Sequence, residues 1–360
     1  MKVKMRINSN QIILILIFYL VFIWVDSTIY SSFTMMVVHQ FSGNLRLLIL
    51  GIESLMAVLI FLDTNKIHFL SRMSLKKYAY ISLVGLFLFL IFPKIVLIEF
   101  ISYTLITLST SLLVLDISKM ILDQNNDLEQ GFLKLSNLKT FATLVGFAIG
   151  GLMMAKLIPT LFIFIIVIFL IFLFYSKYFP EVSLIQKYKN INFNSIKEKF
   201  LVIVLGLLVV NTSAWVPIVA ANLQKNYANL NMLAFTLPGL MTLLLLRKVI
   251  KLNLIINMIM FIFESILMIY GDINKIVIFQ LLILSLLVPT SLSISVHLRA
   301  KFLKINNNFD KKNLIQLLTV NSNILLLILT LISFVLEKVE IFLVLINIFF
   351  ASLLIYKEKK

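Results

Sequence analysis

SKYFPEVSLIQKYKNINFNSIKEK, residues 176–199, is the longest strongly polar stretch near the centre of this 360-residue chain. LFIFIIVIFLIFLFY (161–175) runs directly into it and FLVIVLGLLVV (200–210) directly out of it. A helix crossing the hydrocarbon of a bilayer needs about 20 mostly apolar residues. Read outward from residues 176–199, such segments number six on each side: 11–38, 44–62, 78–92, 95–116, 139–156 and 158–177, then 201–222, 230–246, 252–270, 275–296, 314–335 and 339–356. The third and eighth are short and are expected to borrow residues from their flanks. The expected architecture is therefore an all-α membrane protein with twelve transmembrane helices in two six-helix bundles, 1–177 and 201–360, joined by a cytoplasmic loop at 178–200. Within that loop the sequence fits either a short amphipathic helix with Phe193, Ile196 and Phe200 toward lipid and Lys197 and Lys199 near headgroups, or a solvated linker.

Composition excludes a soluble domain. Hydrophobic residues make up 61% of the chain, charged residues 13%, and mean hydropathy is +1.05, whereas ordinary globular domains are about 45–50% apolar and about 25% charged. The formal charge of +16 does not describe a nucleic-acid binder, because the 32 Lys and Arg lie in short clusters between apolar runs. Such clusters mark cytoplasmic loops. With the N-terminus inside, 26 of the 32 fall in cytoplasmic segments and the opposite connections carry one each: Arg46, Lys94, Lys156, Lys225, Lys275 and Lys338. A wrong span count would scramble this alternation, so it supports twelve crossings and two cytoplasmic ends. The run after the basic residues 2–6 is longer than a signal-peptide core, contains Asp26 and has no small-residue cleavage site, so it is read as a retained first span.

Two local patterns resemble the major facilitator superfamily. In the connection after span 2, IHFLSRMSLKKY (67–78) places Arg72, Lys76 and Lys77 where that family has a basic cluster, with Ile67 in place of its Gly and Ser71 in place of its Asp. In span 5, ATLVGFAIGG (142–151) sets Ala142, Gly146, Gly150 and Gly151 in register with the glycine motif of exporters in that superfamily, with Phe147 in place of its Pro. The preceding DISKMILDQNNDLEQGFLKLSNLKT (116–140) is similar to the family's connection between spans 4 and 5. The resemblance implies a transporter of the bacterial efflux type, a loop latch at Arg72, Lys76 and Lys77, and an antiport-associated helix seam at Gly146, Gly150 and Gly151. Small residues four apart also serve plain helix packing.

Charged groups in the middle of a span cost about 2.5–3.5 kcal/mol on insertion scales, so they face a cavity or a partner. Asp26 in span 1, Glu53 in span 2 and Glu264 in span 9 qualify, with no Lys or Arg at comparable depth. Such carboxylates suit proton coupling or attraction of a cationic substrate; the alternative is a neutral carboxyl bonded to nearby hydroxyls, Ser27, Thr28 and Tyr30 for Asp26 and Ser54 for Glu53. Glu99 and Asp116, near the ends of span 4, are expected to reach headgroups or water. Tyr30, Asn211, Trp215 and Asn321 are candidate cavity-lining residues. Pro217, Pro238 and Pro289 fall inside spans, and the 31 Phe residues are expected to be mostly lipid-facing bulk.

No nucleotide-binding glycine loop, no Ser/His/Asp arrangement and no metal-ligand cluster emerges, the three histidines (His39, His68, His297) are scattered, and cysteine is absent. The chain is thus expected to be no enzyme, to need no cofactor and to bind no nucleic acid. It reads as a monomeric, multi-pass secondary transporter of the bacterial plasma membrane, exporting a small amphipathic or cationic compound by alternating access, with protons as coupling ion and membrane lipids as surroundings. An importer or lipid-linked flippase of the same fold, or a non-transporting immunity or sensor protein, remain open alternatives.

Overall fold

The computed structural model describes residues 9–40, 47–62, 73–92, 95–124, 138–139, 141–147, 149, 158–178, 196–227, 230, 232–306, 311–333, 335–336 and 339–359. Among these residues the chain is all-helical. The helices are α1 (Ser9–Gln40), α2 (Leu48–Leu62), α3 (Leu75–Ile91), α4 (Val96–Gln124), α5 (described over 141–147), α6 (Ile158–Tyr175), α7 (Lys199–Asn226), α8 (Leu233–Val249), α9 (Leu254–Ile273), α10 (Val277–Ile305), α11 (Lys311–Ser333) and α12 (Val339–Lys359). Helix is the form that apolar runs must take where no water can satisfy the backbone, because each N–H then finds its acceptor within its own segment. Six described spans are long and apolar enough to cross a membrane: Ile13–Thr34, Leu97–Val114, Lys199–Asn226, Leu254–Ile273, Val277–Ile305 and Val339–Lys357. Three shorter apolar helices, Leu48–Ile60, Thr160–Tyr175 and Leu317–Ser333, accompany them. The short third span does lengthen at its N-terminal flank, α3 starting at Leu75, whereas the eighth keeps its length and moves three residues along the chain, α8 running from Leu233 through Arg247 and Lys248 to Val249.

Helix α9 shows which solvent the fold is built for. Its buried face carries Asn257, Glu264 and Ser265 beside Met258, Phe261 and Met268. Its exposed face is Ile256, Ile259, Phe263, Ile266, Tyr270 and Ile273. A helix of a water-soluble protein has the reverse arrangement; polar groups turned inward and an oily exterior are the pattern of a helix bathed in lipid.

The chain divides into two compact units. The first comprises Met1–Phe33 and Leu59–Lys187, hence most of α1 with α3 to α6. Aromatic rings fill its interior. Phe22 packs edge-on against Phe172 at 4.8 Å, Phe18 edge-on against the same ring at 5.0 Å, and Phe89 stacks on Phe162 at 4.3 Å. Phe33 and Tyr103 lie 4.7 Å apart. These rings form an interior set beside the exposed phenylalanines such as Phe87, Phe164, Phe174, Phe263 and Phe349: offset and edge-on pairs stabilise beyond the area they bury, and the long apolar helices supply enough Phe for both the interior and the exterior. Helices α3 and α4 approach at Gly85, where a Cβ would meet the Ser102 carbonyl oxygen at 2.9 Å, and the hydroxyls of Ser82 and Ser109 join across the same seam. Glu99 and Asp116 are buried in this unit, not at its wet margin as their positions near the span ends suggest; α4 extends eight residues past Asp116, to Gln124, so that residue stands well inside the helix.

The second unit comprises Thr34–Val58 and Tyr188–Lys360. Gly51 of α2 packs against Thr330 of α11, and Gly206 of α7 against Asn321 and Leu325 of α11. Pro217, Pro238 and Pro289 lie inside α7, α8 and α10. The end of the central polar stretch is not a lipid-facing helix here: residues 196–198 are non-helical, Ile196 is buried, and Phe193 lies outside the described residues. Asn306 at the end of α10 holds this segment through both main-chain groups of Lys197, accepting from its N–H at 2.9 Å and donating to its carbonyl at 3.1 Å.

Candidate functional site

Asp26 sits half-buried near the middle of α1. Its carboxylate oxygen Oδ1 accepts a hydrogen bond from the Thr110 hydroxyl of α4 at 2.7 Å. The hydroxyls of Ser27 and Thr28 turn back to their own helix, donating to the Ile23 and Trp24 carbonyls at 2.8 and 2.7 Å, so the partner comes from 84 residues away. One carboxylate and one hydroxyl that can swing between donor and acceptor form a pair able to accept or release a proton without dismantling the fold. Span 4 carries the hydroxyl-rich TLITLSTS (104–111), a signal of a polar stripe on this helix that does not say which hydroxyl meets Asp26.

The backbone positions this group closely. Gly146 of α5 lies against α1, where a Cβ would stand 2.7 Å from both the Trp24 carbonyl oxygen and the Ser27 Cβ. Tyr30, one turn beyond Asp26, meets Phe147 with ring centroids 5.9 Å apart. Arg72, Gly150 and Gly151 lie outside the described residues; Lys76 and Lys77 are exposed in the first turn of α3.

In the second unit, Glu264 is buried on α9, and its Oε1 accepts from Thr290 of α10 at 3.1 Å. This is the middle of three polar contacts along the α9–α10 seam. Asn257 donates to Ser293 at 3.0 Å below it, and Gln280 donates to Asp272 at 3.0 Å above it. Asn222 of α7 joins that last contact through Gln280 Oε1 at 3.0 Å. Asn211 and Trp215 are completely buried on α7. Asn321 donates from Nδ2 to the Val202 carbonyl of α7 at 2.9 Å. Glu53 is half-buried on α2. Asp26 and Tyr30 share the first unit; Glu53, Glu264, Asn211, Trp215 and Asn321 share the second.

Solved structures share this arrangement of helices over nearly the whole chain. The structure of a POT family transporter, PepTSo, superposes with a TM-score of 0.63 at 14% identity, covering 94% of this chain and 98% of that one. The nucleoside transporter NupG gives 0.60 at 10% identity, with 95% and 99% covered. A bacterial metal transporter gives 0.57 at 14% identity, with 96% and 98% covered. The chain has the major facilitator fold. No protein-family profile matches the sequence, and no curated protein is similar to it.

Proposed function

We propose that the protein is a secondary active transporter working by alternating access between its two halves, 1–177 and 201–360, and that it exports a small amphipathic or cationic compound in exchange for protons. The observation that carries this reading is the bond from Thr110 to Asp26 in the interior of the first unit. A carboxylate at that depth is costly to keep in a membrane and is retained where it does work. The likeness in fold to proteins described as a nucleoside transporter, a POT family transporter and a bacterial metal transporter supports transport as the general activity. Asp26 is the coupling group in this reading, Thr110 its positioning partner, and Glu264 with Thr290 a second carboxyl–hydroxyl pair.

The test is uphill export of ethidium and of an uncharged amphipathic dye from cells and from inside-out vesicles, with an imposed pH gradient. Wild type is expected to move at least one of them in a gradient-dependent manner, and Asp26→Asn to let it only equilibrate. Unchanged uphill export by Asp26→Asn, with the same response to the gradient, refutes the assignment of Asp26. Accumulation in place of loss reverses the direction.

A further inference from the structure

Asn211 and Trp215 stand one helical turn apart on the same face of α7, and both are fully buried. Neither polar atom of the Asn211 amide has a hydrogen-bond partner, and neither has the Trp215 indole Nε1. Buried polar groups are paired in the large majority of cases, and leaving one unpaired costs about 1–3 kcal/mol. Three such atoms within one turn point to a polar group that belongs there.

The same face of α7 looks onto α10. On one side of the pair, Ser291 donates to the Leu208 carbonyl at 3.4 Å; on the other, Asn222 meets Gln280 at 3.0 Å. Carried evenly along an antiparallel pair from one of these contacts to the other, the register sets Asn211 level with Pro289 and Trp215 level with Ser285. Pro289 has no N–H, so the Ser285 carbonyl lacks the helical donor it would otherwise have. The seam between the two contacts thus offers two donors, Asn211 Nδ2 and Trp215 Nε1, and two acceptors, Asn211 Oδ1 and the Ser285 carbonyl. It offers no charge: α7 carries no ionisable residue from Phe200 to Gln224, and α10 carries no Lys, Arg, Asp or Glu from Val277 to Leu298. Glu264 accepts from Thr290 through Oε1 on the α9 side of α10, while its Oε2 is buried without a partner; it belongs to the α9–α10 seam and not to the α7–α10 one.

The geometry points to a recognition notch between α7 and α10 for a neutral group with a cis-amide edge. An Asn side chain presents N–H and C=O side by side, so it pairs with two bonds to a partner presenting C=O and N–H side by side. Lactams, primary carboxamides and pyrimidine-type rings do so; a trans peptide bond, whose N–H and C=O point opposite ways, does not. Trp215 Nε1 then serves a further acceptor on the ligand. This rests on the transport reading above and narrows it, because both side chains are enclosed in this conformation and the ligand enters when the seam opens. The cargo is an amphipathic compound whose polar part is an uncharged amide edge.

The chain has two tryptophans, so Trp24→Phe leaves Trp215 as the sole indole and makes its fluorescence report on the notch. The purified Trp24→Phe protein is titrated with uracil and with δ-valerolactam at millimolar concentration, and with their N-methylated analogues, which keep the carbonyl and lose the donor. The expected result is a saturable change in Trp215 emission with at least one parent compound. The methylated analogue should bind roughly tenfold more weakly, as the loss of one hydrogen bond to a buried amide demands. Asn211→Leu on this background should abolish the response; the methylated comparison stands without that variant if it fails to fold. No saturable response to either compound overturns the proposal and leaves ordered water as the occupant, and so does equal binding of the methylated forms. A responding Trp215 in a protein that moves nothing against a gradient supports the notch while refuting transport. Proton-driven export of other compounds with a silent Trp215 does the opposite.

Discussion

The Asp26 carboxylate and the Thr110 hydroxyl test whether a buried polar pair in this bundle is structural or functional. Side-chain hydrogen bonds between membrane helices contribute about 0.6 kcal/mol on average and at most about 1.7. Thr110→Val keeps the shape and removes the hydroxyl, so its effect on the thermal midpoint in detergent should be a few degrees at most. Its effect on gradient-driven export should be far larger, roughly tenfold or more, and Thr110→Ser should restore it; equal small losses in both measurements would make the pair a packing contact. Gly146 argues the opposite case, in which geometry alone decides. A methyl at that position meets a backbone oxygen, Trp24 O, at 2.7 Å, which no side-chain rotation relieves. Gly146→Ala should therefore destabilise by about 1–3 kcal/mol, the usual range for overpacking, seen as a lowered melting temperature. At Gly271 the obstacle is the Gln280 Cγ at 2.8 Å, the stem of a side chain whose amide is itself held by Asp272 and Asn222, so Gly271→Ala should also destabilise. Asp26 and Gly146 were both legible in the sequence, because a charge in an apolar run and a glycine motif are local signals. Thr110 carries no such local signal: a helix-borne threonine has a carbonyl of its own helix within reach, and Thr110 also donates to Ile106 O at 2.9 Å, so only packing shows that it serves Asp26 as well.

At the scale of helices, the α9–α10 seam is held by polar contacts at Asn257, Glu264 and Asp272, about two turns apart. That spacing nearly matches the heptad at which one face of a helix returns to the same side, so a straight antiparallel pair keeps all three in contact. The sequence shows these residues as interruptions of an apolar run. Their partners Ser293, Thr290 and Gln280 follow only once the two helices are laid antiparallel in one register. Gln280 is the most connected, donating to Asp272 and accepting from Asn222 while fully buried. Gln280→Met preserves length and bulk and leaves both neighbours short of a partner, although Asn222 retains its own 3.3 Å contact with Asp272. A loss of about 1–3 kcal/mol is expected, measured as a lower melting temperature of the purified protein, and no loss at all would show that water replaces the amide there. The clasp of Asn306 on Lys197 makes a second element-scale prediction. Asn306→Ala frees both main-chain groups of a lysine in an exposed segment, so trypsin added to inside-out vesicles should cut after Lys197 several times faster than in wild type. An unchanged cleavage rate would mean that the buried Ile196 alone anchors the segment. The ion pair of Glu198 with Lys357 at 3.5 Å is exposed and adds little to the anchor.

For the whole molecule, the inside-out patterning of α9 and the fold's likeness to solved transporters agree with what composition and hydropathy imply, since both rest on one physical fact, the absence of water around the exterior. The way the chain passes through the bilayer is carried instead by the distribution of Lys and Arg, which constrains the biogenesis of the fold more than its packing. That reading makes a prediction independent of any side-chain contact. The chain has no cysteine, so a single introduced thiol is the only target for a maleimide. Lys251 and Asn274 flank α9 at opposite ends, and both are exposed. If basic clusters mark the cytoplasmic side, Asn274→Cys should react with a membrane-impermeant maleimide in intact cells, while Lys251→Cys should react only after permeabilisation or in inside-out vesicles. Lys2→Cys and Lys360→Cys should behave like Lys251→Cys, because an even number of crossings returns both ends to the same face. Reaction of Lys251→Cys and Asn274→Cys from one side would mean that α9 does not cross. Reaction of Lys2→Cys and Lys360→Cys from opposite sides would mean an odd number of spans and would break the two-by-six arrangement on which alternating access between the halves depends.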